Sequence, residues 1–162
     1  MRWRFIEAIE VLEPGVQIVG RACSDFPDEL FADHFPGFAV TPGVLCVEMG
    51  AQLAGLLVQA TIYEQRGRWV LPLLATIERA RFRAMVMPHT PLRVHAKLEQ
   101  VRPEGAMSSA TIERVDDPTA KAVVSLRLML AFDLTREHPS LHESPRRFAA
   151  LGSPWTPAPP AD

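Results

Sequence analysis

His34-Phe35-Pro36-Gly37-Phe38-Ala39-Val40-Thr41-Pro42-Gly43-Val44-Leu45-Cys46-Val47-Glu48 decides how this chain is read, because it sets a histidine on a tight loop ahead of an apolar helix that carries one carboxylate. Thr41 offers a capping side chain, Pro42 suits the first helical position, where its missing N–H costs nothing, and Gly43 follows at the second. The helix is therefore predicted to start at Pro42 and run to about Tyr63, roughly 20 residues and about 30 Å at the standard rise. Between Glu48 and Glu64 there is no Lys, Arg or further acid. Val44, Leu45, Val47, Leu53, Leu56, Leu57, Val58 and Ile62 cover most of the circumference, so other elements must wrap the helix. Glu48, Gln52, Gly55 and Gln59 recur at helical spacing as one narrow polar stripe.

Upstream, residues 4 to 12 mix β-branched residues with acids, Glu13-Pro14-Gly15-Val16 supplies turn chemistry, and Gln17 to Cys23 continues extended, which together predict a hairpin. Ser24 to Glu29 reads as a loop with room for one helical turn. Downstream of the break at Glu64 to Arg68, four strands are expected: Trp69 to Ala84, Leu92 to Val101, Met107 to Val115 and Ala120 to Phe132. Turns at Met87 to Pro91, Pro103 to Gly105 and Asp116 to Pro118 divide them. Simple alternation puts Ile77, Arg79, Arg81 and Arg83 on one face of the first of these strands and Glu78, Ala80, Phe82 and Ala84 on the other. Val124, Leu126, Leu128 and Leu130 share a face of the last. Two strands, one long buried helix and four antiparallel strands predict an α+β domain over residues 1–134, with a sheet curled around a central helix. Residues 135–162 hold six of the 15 prolines and read as a Pro-rich tail, with room for a short helix at Arg146 to Leu151 and a docking aromatic at Trp155.

A chain of 162 residues is long enough to bury one core without staples. A formal charge of −2 gives no footprint for nucleic acid. Cys23 and Cys46 are too few for a disulfide framework and lack metal spacing, so a reducing cytoplasm is expected. Glu7 interrupts what would have to be the apolar core of a signal peptide, and no run reaches the roughly 20 apolar residues of a membrane helix.

The chemistry concentrates at the helix start. Gly43 presents an unpaired amide at the positive end of the helix dipole, with no side chain to block a ligand, which is an oxyanion site in outline. Among Leu45, Val47, Met49, Ala51 and Leu53, Glu48 is expected to be buried and held protonated, the form a general acid needs. His34 is the natural proton acceptor at neutral pH. Alone, the histidine is most simply a turn residue and the glutamate a solvent-facing one. Together they supply an acid, a base and a carbonyl-binding amide. Cys46 reads as core. His138 and His142 have the spacing of a metal pair but sit in a proline-interrupted segment, and no metal site is expected.

The run His34 to Gly55 resembles the signature of the β-hydroxyacyl-acyl carrier protein dehydratases of the hotdog fold, His-Phe-Pro-Gly-x-Pro-x-x-Pro-Gly-x-Leu-x-x-Glu-x-x-x-Gln, matching at His34, Phe35, Pro36, Gly37, Pro42, Gly43, Leu45, Glu48 and Gln52. Ala80-Arg81-Phe82-Arg83 with Val86 and Pro88, and the Glu13-Pro14-Gly15 turn, are similar to later and earlier family segments, so the resemblance spans about residues 4 to 133. It implies a homodimer, open to higher assembly, whose sheets join edge to edge and whose sites draw on both subunits. It further implies that His34 removes the proton at C2 of a β-hydroxyacyl thioester and Glu48 protonates the departing C3 hydroxyl. Gly43 would polarise the carbonyl, Gln52 would hold Glu48, and Pro42 and Val44 would line the substrate. No metal or redox cofactor is implied, since the substrate carries its own phosphopantetheine. The partner implied is acyl carrier protein, with Arg79, Arg81 and Arg83 as a docking stripe; neither nucleic acid nor membrane is expected. The chain departs from the pattern at Asp33 and Ala39, at His89-Thr90, and in lacking the N-terminal Pro-His-Arg-x-Pro-Phe segment. Those departures keep two alternatives in view, a non-catalytic acyl-thioester-binding subunit or sensor and a hotdog thioesterase.

Overall fold

The expected hairpin forms from β1 (Ile6–Glu13) and β2 (Gln17–Cys23), with Gly15 at φ +82° in the turn and its N–H donated to Thr61 Oγ1 at 2.8 Å. The computed structural model describes residues 3–117, 121–136 and 138–158. After the hairpin come a short helix α1 (Asp28–Asp33), the long helix α2 (Gly43–Arg66), and strands β3 (Leu73–Phe82), β4 (Pro91–Arg102), β5 (Gly105–Arg114) and β6 (Val124–Ala131). All six strands join one antiparallel sheet in the order β1-β2-β4-β5-β6-β3.

Helix α2 packs on every strand of that sheet, which is why it is apolar on nearly all sides. Met49, Leu53, Leu56, Leu57 and Val58 are fully enclosed, facing Ile18, Leu92, Val94, Ile112, Leu128 and Leu130 from the strands. The approach is closest at Gly50, where an added Cβ would collide with Leu126 Cδ1 and lie 3.4 Å from Ala110 Cβ. Gly67 ends the helix in the left-handed region at φ +64°, its N–H returning to the Tyr63 carbonyl at 2.8 Å. By length and composition Gly43–Arg66 would cross a bilayer, but 72% of its most apolar window is buried within the fold.

The helix start differs from the sequence expectation by one residue. Pro42 is the extended residue before the helix (φ −54°, ψ 129°) and Gly43 is its first residue. Thr41 does not cap. It is buried, and its hydroxyl donates at 3.4 Å to the carbonyl of Met87, while its N–H donates to that of Val86. Val44, expected among the wrapped residues, is 73% exposed.

Simple alternation fails in β3 because two bulges interrupt its pairing with β6, between Leu74 and Thr76 and between Ile77 and Arg79. Leu74, Ile77, Ala80 and Phe82 stand opposite Leu130, Leu128, Leu126 and Val124, on the helix side, while Arg79 and Arg81 stand opposite Arg127 and Ser125 on the other. Ile77 therefore does not share a face with the arginines. β3 is an outer strand of the sheet, and all ten of its residues are exposed.

The segment after residue 134 folds back on the body. A 3-10 turn (Pro139–Glu143) leads into α3 (Ser144–Ala150), close to the short helix expected there. Phe148 is buried in a cluster with Trp69 and Trp155, Trp155 Nε1 donates to Glu64 at 2.7 Å, and Ile9 N–H donates to the Leu151 carbonyl at 2.8 Å. His138 is spent on the 3-10 turn, bonding Ser140 through Nδ1, and among the described residues no group of His, Cys, Asp or Glu converges as a metal site.

Candidate active site

The loop from α1 to α2 fixes His34 from both sides. Its N–H donates to the Phe31 carbonyl at 3.2 Å, its carbonyl accepts from Val40 N–H at 2.9 Å, and Phe35 and Phe38 exchange backbone hydrogen bonds across the turn, with Gly37 at φ +76°. The His34–Phe35 peptide bond is cis. The imidazole Nδ1 lies 3.0 Å from the Val40 carbonyl. A carbonyl only accepts, so Nδ1 carries the proton and Nε2 presents a lone pair. Asp33, adjacent in sequence, is exposed and forms no ion pair with His34.

His34 lines a groove of about 410 Å³ with Val40, Thr41, Gly43, Cys46 and Phe82. As the first residue of α2, Gly43 has an N–H with no intrahelical acceptor, and it aims with the helix dipole. The ring of Phe82 presses on its Cα so closely that a Cβ there would sit 2.9 Å from Phe82 Cε1. Cys46 is buried beneath, and burial pushes its thiol up to about 11, which leaves it a core residue rather than a nucleophile.

Glu48 does not share this groove. It lines a second one, about 230 Å³, with Gln52, Gly55 and Gln59, so the whole polar stripe of α2 opens there. The enclosure expected from its apolar neighbours is incomplete, and Glu48 is half-buried. Its Oε1 accepts from Gln52 Nε2 at 2.9 Å and from the indole of Trp3 at 3.1 Å. Gln52 in turn accepts from Phe5 N–H at 3.0 Å and donates to the Trp3 carbonyl at 3.3 Å, so the chain start orients the carboxylate. Trp3 escaped sequence reading, since nothing local marks a contact made across 45 residues.

Of the remaining candidates, Pro42 and Val44 flank Gly43 at the helix mouth. Arg79 and Arg81 stand exposed on the sheet's outer face, while Arg83 lines the His34 groove and donates to Ser125 Oγ at 2.6 Å. One chain thus brings together His34 and Gly43, and separately Glu48 and Gln52. It does not place base and acid on one wall.

Residues 3–121 match the FabA-like domain family. Among similar proteins, the 3-hydroxyacyl-[acyl-carrier-protein] dehydratase FabZ of Clostridium acetobutylicum is 32% identical over 97 residues, covering 60% of this chain and 67% of that protein. The FabZ of Chloroflexus aggregans is 38% identical, covering 60% and 65%; that of Rickettsia rickettsii is 34% identical over 107 residues, covering 66% and 72%. Among solved structures, a thioesterase from Staphylococcus aureus superposes with a TM-score of 0.59 at 13% identity, covering 78% of this chain and 92% of its own. A thioesterase from Haemophilus influenzae does so at 0.58 and 17%, covering 80% of each chain. At such identities these two speak for the shared fold alone. With its antiparallel sheet wrapped on one long helix and its match over residues 3–121, the chain has the hotdog fold and belongs to the FabA-like family.

Proposed function

We propose that this protein is a hydro-lyase that dehydrates β-hydroxyacyl thioesters carried on acyl carrier protein to trans-2-enoyl thioesters in fatty acid synthesis, at a site shared between two copies of the chain. The observation that carries this reading is the position of the two grooves along β3. His34's groove includes Phe82, Arg83 and Ala84 at the end of the strand; Glu48's includes Leu73 and Leu74 at its start. β3 leaves its outer edge unpaired and exposes Leu73, Ile77 and Phe82 to 60, 47 and 49%. A long apolar edge of this kind calls for another strand. If β3 pairs antiparallel with the β3 of a second copy, the end of each strand lies beside the start of the other, and His34 of one subunit faces Glu48 of its partner.

In such a site the Gly43 N–H donates a hydrogen bond to the thioester carbonyl oxygen as negative charge develops on it. His34 Nε2 takes the C2 proton, the C3–O bond breaks, and a protonated Glu48 gives its proton to the leaving hydroxyl, which departs as water. The electron pair of the C2–H bond becomes the new double bond. Proton exchange with solvent then restores both residues. Trp3 and Gln52 hold the carboxyl in place. Acidic carrier protein docks on exposed Arg79, Arg81 and Arg83, with Arg83 at the mouth of the His34 groove. A cytoplasmic location fits the two free cysteines.

Incubation with a β-hydroxyacyl carrier-protein substrate, followed by mass spectrometry, should show loss of one water. Turnover no faster than that of His34→Ala or Glu48→Gln at every chain length would reject the assignment, and release of free thiol would indicate thioesterase chemistry instead.

A further inference from the structure

Beyond Glu48 the second groove carries polar groups for which dehydration has no use. Gln59 is 5% exposed; its Nε2 donates to the Val70 carbonyl at 2.9 Å, while its Oε1 is buried without a donor. Such an atom lacks the compensation that buried polar groups ordinarily have. Arg147, from α3, lines the same groove, half-buried and without a hydrogen bond or ion pair from its guanidinium to any described residue. Burial, and after it the like charge of Arg4, push that guanidinium below the ordinary arginine value. Among the described residues no carboxylate forms an ion pair with either cation.

Both features line the same groove. α3 is held by Phe148, whose ring lies 5.8 Å from that of Trp69, next to the Val70 carbonyl that takes the Gln59 amide. Glu48 and Gln59 are 11 residues apart on α2, about 16 Å along the axis. A saturated chain end placed here would strip the remaining water from an unpaired cation, which is costly. A carboxylate ending the acyl chain would be met in this groove by the planar fork of arginine.

We propose that the groove beyond Glu48 receives an acyl chain ending in a carboxylate, and that Arg147 is the residue that selects it. The proposal rests on the dehydratase reading for the direction in which the acyl chain runs, from the thioester at Gly43 past Glu48 toward Gln59.

The test uses two series of β-hydroxyacyl carrier-protein substrates matched in length, one ending in methyl and one in carboxylate. It adds calorimetric binding of saturated acyl-thioester analogues that lack the β-hydroxyl. Wild type should prefer the carboxylate series in kcat/KM at its best length. Arg147→Leu should lose at least tenfold on that series with the methyl series unchanged or improved, and Arg147→Lys should keep part of the preference. Thermal unfolding of both variants checks that α3 stays docked. Preference for methyl ends at every length, or an equal loss on both series in both variants, overturns the proposal while leaving dehydration intact. Should neither series turn over, the dehydratase reading fails and binding decides. A carboxylate analogue held tenfold more weakly by Arg147→Leu than by wild type upholds the groove assignment, and equal binding overturns it.

Discussion

His34 has one ring nitrogen left to serve as the proposed base, because the Val40 carbonyl engages the other at 3.0 Å. Removing the imbazole side chain by His34→Ala should therefore cost about 10² to 10⁴ in kcat, the usual range for a general base, with little change in melting temperature, since the ring is half-buried. Gly43→Ala should also lower kcat, by at least tenfold. Its Cβ would stand 2.9 Å from Phe82 Cε1, so ring and helix start must move apart and the amide shifts with them. Coupling Gly43→Ala with Phe82→Leu should recover part of the loss; kinetics on the three variants check this. At this scale the signature residues were legible because their types and spacing are local. The surroundings of Glu48 were not. Apolar neighbours in sequence suggested enclosure, but Val47 and Met49 at i±1 point to other faces of the helix, and the side beside Glu48 is an open groove lined by Ala51 and bridged by Trp3 and Gln52.

Among the elements, α2 depends on one close approach. Gly50→Ala inserts a methyl group where Leu126 Cδ1 already sits, with Ala110 behind it, and should destabilise the fold by about 1–3 kcal/mol, the usual cost of overpacking. Denaturant unfolding measures this, and Leu126→Ala in the same chain should relieve part of the strain. The burial of α2 could be read from its unbroken apolar run, whereas its end, expected at about Tyr63, lies at Arg66 before the left-handed Gly67. Its first residue was misplaced by one because Thr41 bonds Met87 across 46 residues instead of capping, a tertiary contact with no local mark. β3 was misread for a different reason. Its two bulges move Ile77 to the helix side, and a bulge is set by pairing with β6 rather than by composition.

At the scale of the whole molecule, one chain carries two separate grooves at opposite ends of an edge strand. Ile77→Lys puts a charge on the exposed edge near the strand's middle, and should give a monomer by light scattering with wild-type secondary structure and activity reduced at least tenfold. The sheet wrapped on its helix followed from the order of elements. The position of the two grooves along an edge strand did not, because it depends on which strand lies at the edge, a property of topology that periodicity does not carry. The account turns on His34 and Glu48 working across two chains, and complementation tests this directly. His34→Ala and Glu48→Gln chains bearing different affinity tags are co-expressed, and the mixed dimer is purified through both. One of its two sites then holds both substitutions and the other neither, so dehydration should return to about half the wild-type rate per dimer. A mixed dimer no more active than its two inactive parents would contradict the shared site.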